Sequence, residues 1–406
     1  MLGVHFKTFK RIVVKSLFST RRSTGLLACG VLAMSLGSAT RVMADVSLLL
    51  SLEPTDKQST SSISRQNVET SLGSALKQKT SVTKSEDLAE AMRSTRSGGY
   101  DVFIASAQIA ASALSHGYEL LGATGKPEKY ALIGRKNIAS IGALKGNRLY
   151  LPQQDSIYTY MARGLLNASG LSLKDLKTVT YERYPNAGLV AVSLGISDAT
   201  VVRLADWEQW NKANPGVAAL LATSGPVPGG FSVVVKKTLH PDVRAGLVKW
   251  FAGASEAAGM KPLSVEQELA DYKAVAQLGI FTPTALPGAK MVRHSEVQKL
   301  VEQGAVLVDT RTEKEFKAKR MPTAVFAPYH EKSLKDVVFD VALDDFSSLD
   351  RLDKTKPTIF ACNGAECWKS YKASKYALTK GFTDVYWFRG GLPEWEAAGL
   401  NVVKDQ

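Results

Sequence analysis

Apolar runs of strand length alternate with segments of helical spacing through most of this 406-residue chain. "VSLLLSL" (46–52), "YDVFIAS" (100–106), "YALIGR" (130–135), "NRLYLP" (147–152), "VTYERY" (179–184) and "GFSVVVKK" (230–237) read as strands. "SRQNVETSLGSALKQK" (64–79), "EDLAEAMRS", "YTYMARGLLNASG" and "DVRAGLVKWFAGA" read as helices between them. Such alternation predicts an α/β fold with largely parallel sheets. It breaks at "LGIFTPTALPGAK" (278–290), where two prolines and two glycines fall close together, and then restarts on a smaller scale. There "SEVQKLVEQG" (295–304) predicts a helix with Ser295 as N-cap and Gly304 as stop. "AVLVDTR" (305–311), "PTIFAC" (357–362) and "DVYWFRGG" (384–391) predict strands, and "PEWEAAG" a short helix.

Lys7, Lys10, Arg11, Lys15, Arg21, Arg22 and Arg41 crowd a head that has no acid before Asp45. "STGLLACGVLAMSL" is a short uncharged run, and "VMA" follows. A basic head, an apolar middle and small residues at the cut predict a signal peptide over 1–44 and a periplasmic protein. Too little apolar chain precedes Cys29 for a lipid anchor. Removing the leader roughly halves the formal net charge of +13, and no aromatic-interleaved basic block follows. The composition therefore excludes an obvious nucleic-acid binder.

The remaining chain is too long for one ordinary core, so two or three folding units are expected. It keeps two cysteines, Cys362 and Cys367, in a single loop. That spacing leaves a reactive site, a local bridge or a metal pair open. A metal is disfavoured because no second pair exists and the five histidines are scattered, so neither metal nor cofactor is expected. Cys362 ends a strand, and a helix starts near Lys369 or Ser370. A thiol there meets loop amides and the positive end of a helix dipole, which lower its pKa and suit nucleophilic sulfur chemistry.

"VLVDTRTEKEFKAKRMPTAVFAPY" (306–329) and "GFTDVYWFRGGLPEWEAAGLNV" (381–402) resemble the opening and closing segments of a rhodanese domain. Cys362 sits where such domains carry the sulfur-accepting cysteine. The resemblance implies that Cys362 takes a sulfane sulfur from a thiosulfate-type donor, holds it as a persulfide and passes it to a thiol acceptor. Asn363, Gly364, Ala365, Glu366 and Trp368 would form the active-site loop, Trp368 as its wall, and Asp309 with Arg311 would tie strand to loop. The loop departs from the common pattern in lacking an arginine, which leaves Lys369 as the nearby cation and adds Cys367. Cys367 resolves a persulfide or closes a bridge to Cys362, and both remain open.

"YDVFIASAQIAASALSHGYELL" (100–121), "LKGNRLYLPQQDSIYTYMARGLL" (144–166) and "AVSLGISDATVV" (191–202) resemble the ABC-importer solute-binding proteins that take phosphonate, phosphite and related oxyanions. Independently of that resemblance, a polar loop at a helix N-terminus presents amides and hydroxyls to an anion. The resemblance implies that Ser156 and Thr159, with Tyr158 as a further candidate, hold the ligand there, against the plain alternative of a capped helix start. Asp198 in "GISDA" is a candidate cleft acid or a loop cap. Ser106 and Gln108 follow a strand at the sheet's carboxyl edge, where α/β domains bind ligands. His116 and His240 are expected at the surface, and Trp207, Trp210 and Trp250 in packing roles.

The expected architecture is a two-lobed, type II-like periplasmic binding protein followed by a smaller α/β rhodanese domain. The solute-binding domain would span 45–283, with lobe one at 45–132 and 233–283 and lobe two at 133–232. The rhodanese-like domain would span 284–406. The expected function is an exported sulfurtransferase fused to an oxyanion receptor. The alternative is the solute-binding component of an importer, partnered by an ABC permease, with an inactive or redox-only rhodanese domain.

Overall fold

The computed structural model describes residues 45–54, 63–260 and 269–405, all within one compact unit. The leader expected over 1–44 lies outside the described residues. No helix among the described residues is long and apolar enough to cross a membrane.

The first sheet is built from β1 (Val46–Ser51), β2 (Thr80–Ser85), β3 (Val102–Ala105), β4 (Tyr118–Glu128) and β10 (Val227–Lys236), in the order β2-β1-β3-β10-β4. Helices α1 (Arg65–Leu76), α2 (Leu88–Ser97) and α3 (Ala107–Ser115) connect its strands. The period-two alternation of side chains decides the packing. Val46, Leu48 and Leu50 join one core with Val68 and Leu72 of α1, while Leu49 joins the opposite core with Phe103. The second sheet repeats the plan with β5 (Tyr130–Arg135), β6 (Arg148–Pro152), β7 (Thr178–Glu182), β8 (Ala199–Arg203) and β9 (Ala218–Thr223), in the order β7-β6-β8-β5-β9. Helices α4 (Ile157–Asn167), α5 (Ala187–Ser193) and α6 (Leu204–Ala213) cover it.

These two sheets are mixed: in each, four strands run in one direction and one runs against them, β10 in the first sheet and β5 in the second. The reversed strands are those on which the chain enters each sheet from the other: only Lys129 separates β4 from β5, and β9 leads directly toward β10. A strand that crosses from one sheet to the other has to enter against the direction of the βαβ units beside it. Trp250 is fully buried in the core beneath α7 (Pro241–Lys249), and Trp207 stacks on Trp210.

After α8 (Leu269–Gln277) the chain runs without regular structure to a third sheet. Its strands are β11 (Lys290–Met291), β12 (Val306–Asp309), β13 (Val325–Phe326), β14 (Thr358–Ala361) and β15 (Val385–Phe388), all parallel, in the order β11-β15-β14-β12-β13. Helices α9 (His294–Glu302), α10 (Glu313–Ala318), α11 (Ser347–Asp350), α12 (Trp368–Thr379) and α13 (Gly391–Ala397) accompany it. Central β14 is buried on both faces, with Ile359 and Ala361 against Leu307 and Phe388, and Phe360 against Val308 and Tyr376. That accounts for its unbroken apolar run. The N-cap of α9 lies two residues earlier than expected, at Arg293 rather than Ser295. The carboxylates of Glu296 and Glu394 accept the free amides of Arg293 and His294. Gly304 does end that region, in the left-handed conformation at φ 95°.

Candidate functional site

Two helix N-termini collect the chemistry. The first belongs to α4. β1 and β3 end on one side of it and β6 on the other, so three strand ends meet where α/β folds hold ligands. Ser156 caps α4: its Oγ accepts the Thr159 amide at 3.2 Å, and Thr159 Oγ1 donates to the Gln153 carbonyl at 3.0 Å. Both hydroxyls therefore serve the helix start. Tyr158 is buried edge-on against Tyr130, and burial pushes its phenol far above the ordinary range.

The donors that face the seat meet a carboxylate from the chain itself. Glu53, just past β1, places Oε1 2.9 Å from the Ile157 amide and 3.0 Å from Ser106 Oγ. Gln108 Nε2 donates to the same oxygen and, at 3.0 Å, to the Asp155 carbonyl. Gln108 is fully buried, and its Oε1 has no partner. Burial pushes the Glu53 carboxyl up to about 7, against the pull of these hydrogen bonds and of Arg203. Glu53 was not among the sequence candidates, although an acid directly after a buried strand, at a sheet's carboxyl edge, is a readable signal.

Asp198 is not in this cleft. It precedes β8 at the opposite, amino end of the parallel strands. Arg148 grips its carboxylate through Nε at 2.9 Å and Nη2 at 3.0 Å, and the Arg148 amide adds a third bond at 2.9 Å. These bonds hold Asp198 down at about 2. Its role is to lock the starts of β6 and β8, which corrects the expectation of a ligand-facing acid.

The second terminus belongs to α12. Cys362 leaves β14 and Cys367 is the N-cap of α12, and a disulfide joins them across a Cα–Cα distance of 6.2 Å. Cys362 is 1% exposed. The Gly364 φ of 84° lets the loop turn back, so that the Cys367 amide reaches the Gly364 carbonyl at 3.0 Å. Asn363 is buried between Glu315, at 2.6 Å, and Arg311, at 3.3 Å. Arg311 also chelates Asp309, at 2.6 Å through Nη2, so this pair ties β12 to the cysteine loop. On the opposite side the Leu392 amide donates to the Cys362 carbonyl at 2.9 Å. A side chain at Gly391 has no room, because a Cβ there would stand 2.0 Å from that carbonyl oxygen. Lys369 is buried with its ammonium 4.9 Å from the Tyr329 ring, and burial lowers its pKa.

The cysteine loop is covered rather than open. Thr282, in the connection after α8, donates through its amide and hydroxyl to the Ala365 carbonyl, at 2.9 and 2.8 Å. Trp368 is indeed a wall, its indole N–H held by the Ile280 carbonyl at 2.9 Å. Glu366 pairs at 3.4 Å with Arg96 of α2, whose side chain is 2% exposed. His116, expected at the surface, is half-buried against this pair. Burial lowers its pKa, and Glu366 acts to raise it. A second bridge links the two regions: Lys335 Nζ lies 2.6 Å from Asp155, and the Lys335 amide donates to Gln154 Oε1 at 3.0 Å. Burial acts to raise Asp155, but Lys335, helped by Arg96 and Arg163, holds it below the ordinary carboxylate range. Neither Arg96 nor Lys335 carries a local sequence signal. Among the described residues no cluster of three or more His, Cys, Asp or Glu could hold a metal.

Comparison with known proteins matches residues 50–277 to the family model for the ABC transporter, phosphonate, periplasmic substrate-binding protein. Residues 293–398 match the rhodanese-like domain. The thiosulfate sulfurtransferase GlpE of Pseudomonas savastanoi pv. phaseolicola is 32% identical over 108 residues, 27% of this chain and 88% of the relative. The GlpE of Pseudomonas syringae pv. syringae is 32% identical over 106 residues, 26% of this chain and 86% of that relative. Among solved structures, PhnD1 from Prochlorococcus marinus in complex with methylphosphonate is 16% identical, covers 57% of this chain and 97% of its own, and aligns with a TM-score of 0.45. The chain thus belongs to the phosphonate-type periplasmic substrate-binding family of ABC transporters and carries a rhodanese-like domain at its C-terminal end.

Proposed function

We propose that the chain is the solute receptor of an ABC importer whose rhodanese-like domain is held off by the Cys362–Cys367 bridge. On this reading residues 1–44 are a cleaved signal peptide and the protein works in the periplasm. Residues 45–283 bind a small oxyanion of the phosphonate, phosphite or sulfur-oxyanion class, with lobes at 45–132 plus 233–283 and at 133–232. Residues 284–406 form the sulfur-handling domain, and an ABC permease is the membrane partner.

The observation that carries the reading is the bonded, buried Cys362 at the mouth of α12. Bonded to Cys367, its sulfur has no lone thiolate to attack a donor. Reduction by a dithiol breaks the S–S bond and releases two thiols. The Cys362 thiolate then attacks the outer sulfur of thiosulfate, sulfite leaves with the electron pair of the broken S–S bond, and a persulfide remains. A thiol acceptor, or cyanide in an assay, takes that sulfur and restores the thiolate. The 32% identity to thiosulfate sulfurtransferases supports this second half of the cycle.

The test is thiocyanate formation from thiosulfate and cyanide by the mature protein, oxidised or dithiol-reduced. The expected result is no turnover while oxidised, turnover after reduction, and none in Cys362→Ser. Equal turnover in both redox states would overturn the gating. The absence of a solvent-facing cation in the loop favours a second reading, a domain with thiol redox chemistry alone: Lys369 faces Tyr329, and the neighbouring Arg96 is taken up by Glu366. A silent reduced protein with an intact, re-forming bridge would select that reading.

A further inference from the structure

We propose that Glu53 is a built-in occupant of the oxyanion seat at the start of α4, so that an anionic ligand enters only by displacing it. The inference rests on the receptor reading above and adds a residue that sets its affinity and selectivity.

Three donors from two separate elements aim at one oxygen. Ser106 and Gln108 come from the start of α3, and the Ile157 amide comes from the first turn of α4, 104 residues along the chain from Glu53. This is the pattern by which a helix N-terminus and strand-end side chains hold an anionic oxygen. Here that oxygen belongs to the protein. The same carboxylate also joins the first sheet to the second, beside the Gln153 contacts to Glu86 and Leu88. The seat is therefore filled, and the lobes are latched across it, by a side chain.

The fit is incomplete, which points to a second, better occupant. Gln108 Oε1 is buried and meets no hydrogen-bond donor in the seat. A tetrahedral oxyanion that keeps one O–H, such as monoprotonated methylphosphonate or phosphite, supplies both an acceptor oxygen for the three donors and a proton for Gln108. Burial also opposes the charge on Glu53, so the displaced carboxylate gains hydration that it lacks in the seat. Glu53 thus competes with the ligand as a tethered group whose effective concentration is set by the short segment after β1.

Calorimetric titration of the full mature chain with methylphosphonate and with phosphite tests this, comparing wild type, Glu53→Ala and Glu53→Gln. The expected result is that both variants bind at least about tenfold tighter than wild type. Glu53→Gln removes the charge at nearly constant shape and carries the test if the alanine variant does not fold. A merely structural latch predicts the reverse, because loosening the lobes weakens binding. Variants that bind no tighter than wild type overturn the inference while leaving the receptor reading in place. If neither wild type nor either variant binds methylphosphonate or phosphite, both the inference and the oxyanion reading fall.

Discussion

The starts of α4 and α12 are built alike and closed differently. Each follows a buried parallel strand and a short polar loop, and each turns free amides toward a place where an anion or a thiolate gains stability. At α4 the occupant is the Glu53 carboxylate, held by hydrogen bonds that a competing oxyanion can take over at equilibrium. At α12 it is the Cys362–Cys367 bond, which no competitor displaces without a reductant. The cover differs too. Hydrogen bonds from Ser106, Gln108 and Ile157 hold the first occupant, whereas the Ile280–Thr282 segment and Arg96 strap the second site. The same local geometry can thus be governed by ligand concentration in one place and by redox state in the other.

The contact that joins the two regions gives the strongest way to break the comparison. Lys335→Ala leaves the buried Asp155 carboxylate without its 2.6 Å partner. Removing one member of a buried pair costs about 3–5 kcal/mol. Urea unfolding should show that loss, and the Asp155 titration should move upward, since burial then acts with less opposition. A loss below about 1 kcal/mol would mean that the two regions are energetically independent.

Gly391→Ala isolates the second region. Its Cβ would press on the Cys362 carbonyl at a φ of 53°, which only glycine adopts easily. We expect about 2–4 kcal/mol of destabilisation in urea, with ligand affinity at the cleft unchanged. A matching loss of affinity would show that the cleft depends on the cysteine loop.

The first region carries a pH signature centred on one carboxyl, Glu53. The folded-state pKa of Glu53, about 7, lies above its ordinary value of 4.5, so the folded protein binds the extra proton. Its contribution is therefore fully present below about 4.5 and is lost as the pH rises through about 7. Thermal melts of wild type should weaken across that window by about 1–2 kcal/mol after solvent screening, while Glu53→Gln stays level there. Parallel pH curves for the two proteins would remove Glu53 from the buried seat. The smallest effect belongs to Ser156→Ala, about 1 kcal/mol from loss of the α4 cap, measured in the same melts.

Much of this was legible in the residue pattern. The alternation that marks the strands, the break at 278–290, the loop of Cys362 to Trp368 and the Asp309–Arg311 tie can all be read from spacing and family resemblance. Ser156, Tyr158 and Thr159 were read at a helix start and Gln108 after the strand over 100–106, and only the fold brings Gln108 to within hydrogen-bond reach of the Asp155 carbonyl beside that helix start. Asp198 was left as either a cleft acid or a loop cap, because an acid in a small-residue loop has the same local appearance at either end of a strand. Only the position of Arg148 shows which end it serves.

Local periodicity is short-ranged, so the residue pattern marked the buried central strands and the loop of two cysteines five residues apart, and left β2, β4, β8, β9, β11 and β13, whose runs are polar, short or broken, unread. Tertiary structure decided which groups those elements bring together. Glu53 meets Ile157 across 104 residues, and Lys335 meets Asp155 across 180. Arg96 meets Glu366 across 270. No local pattern encodes such pairings, because each is set by where whole sheets pack, and burial then makes those few charges matter.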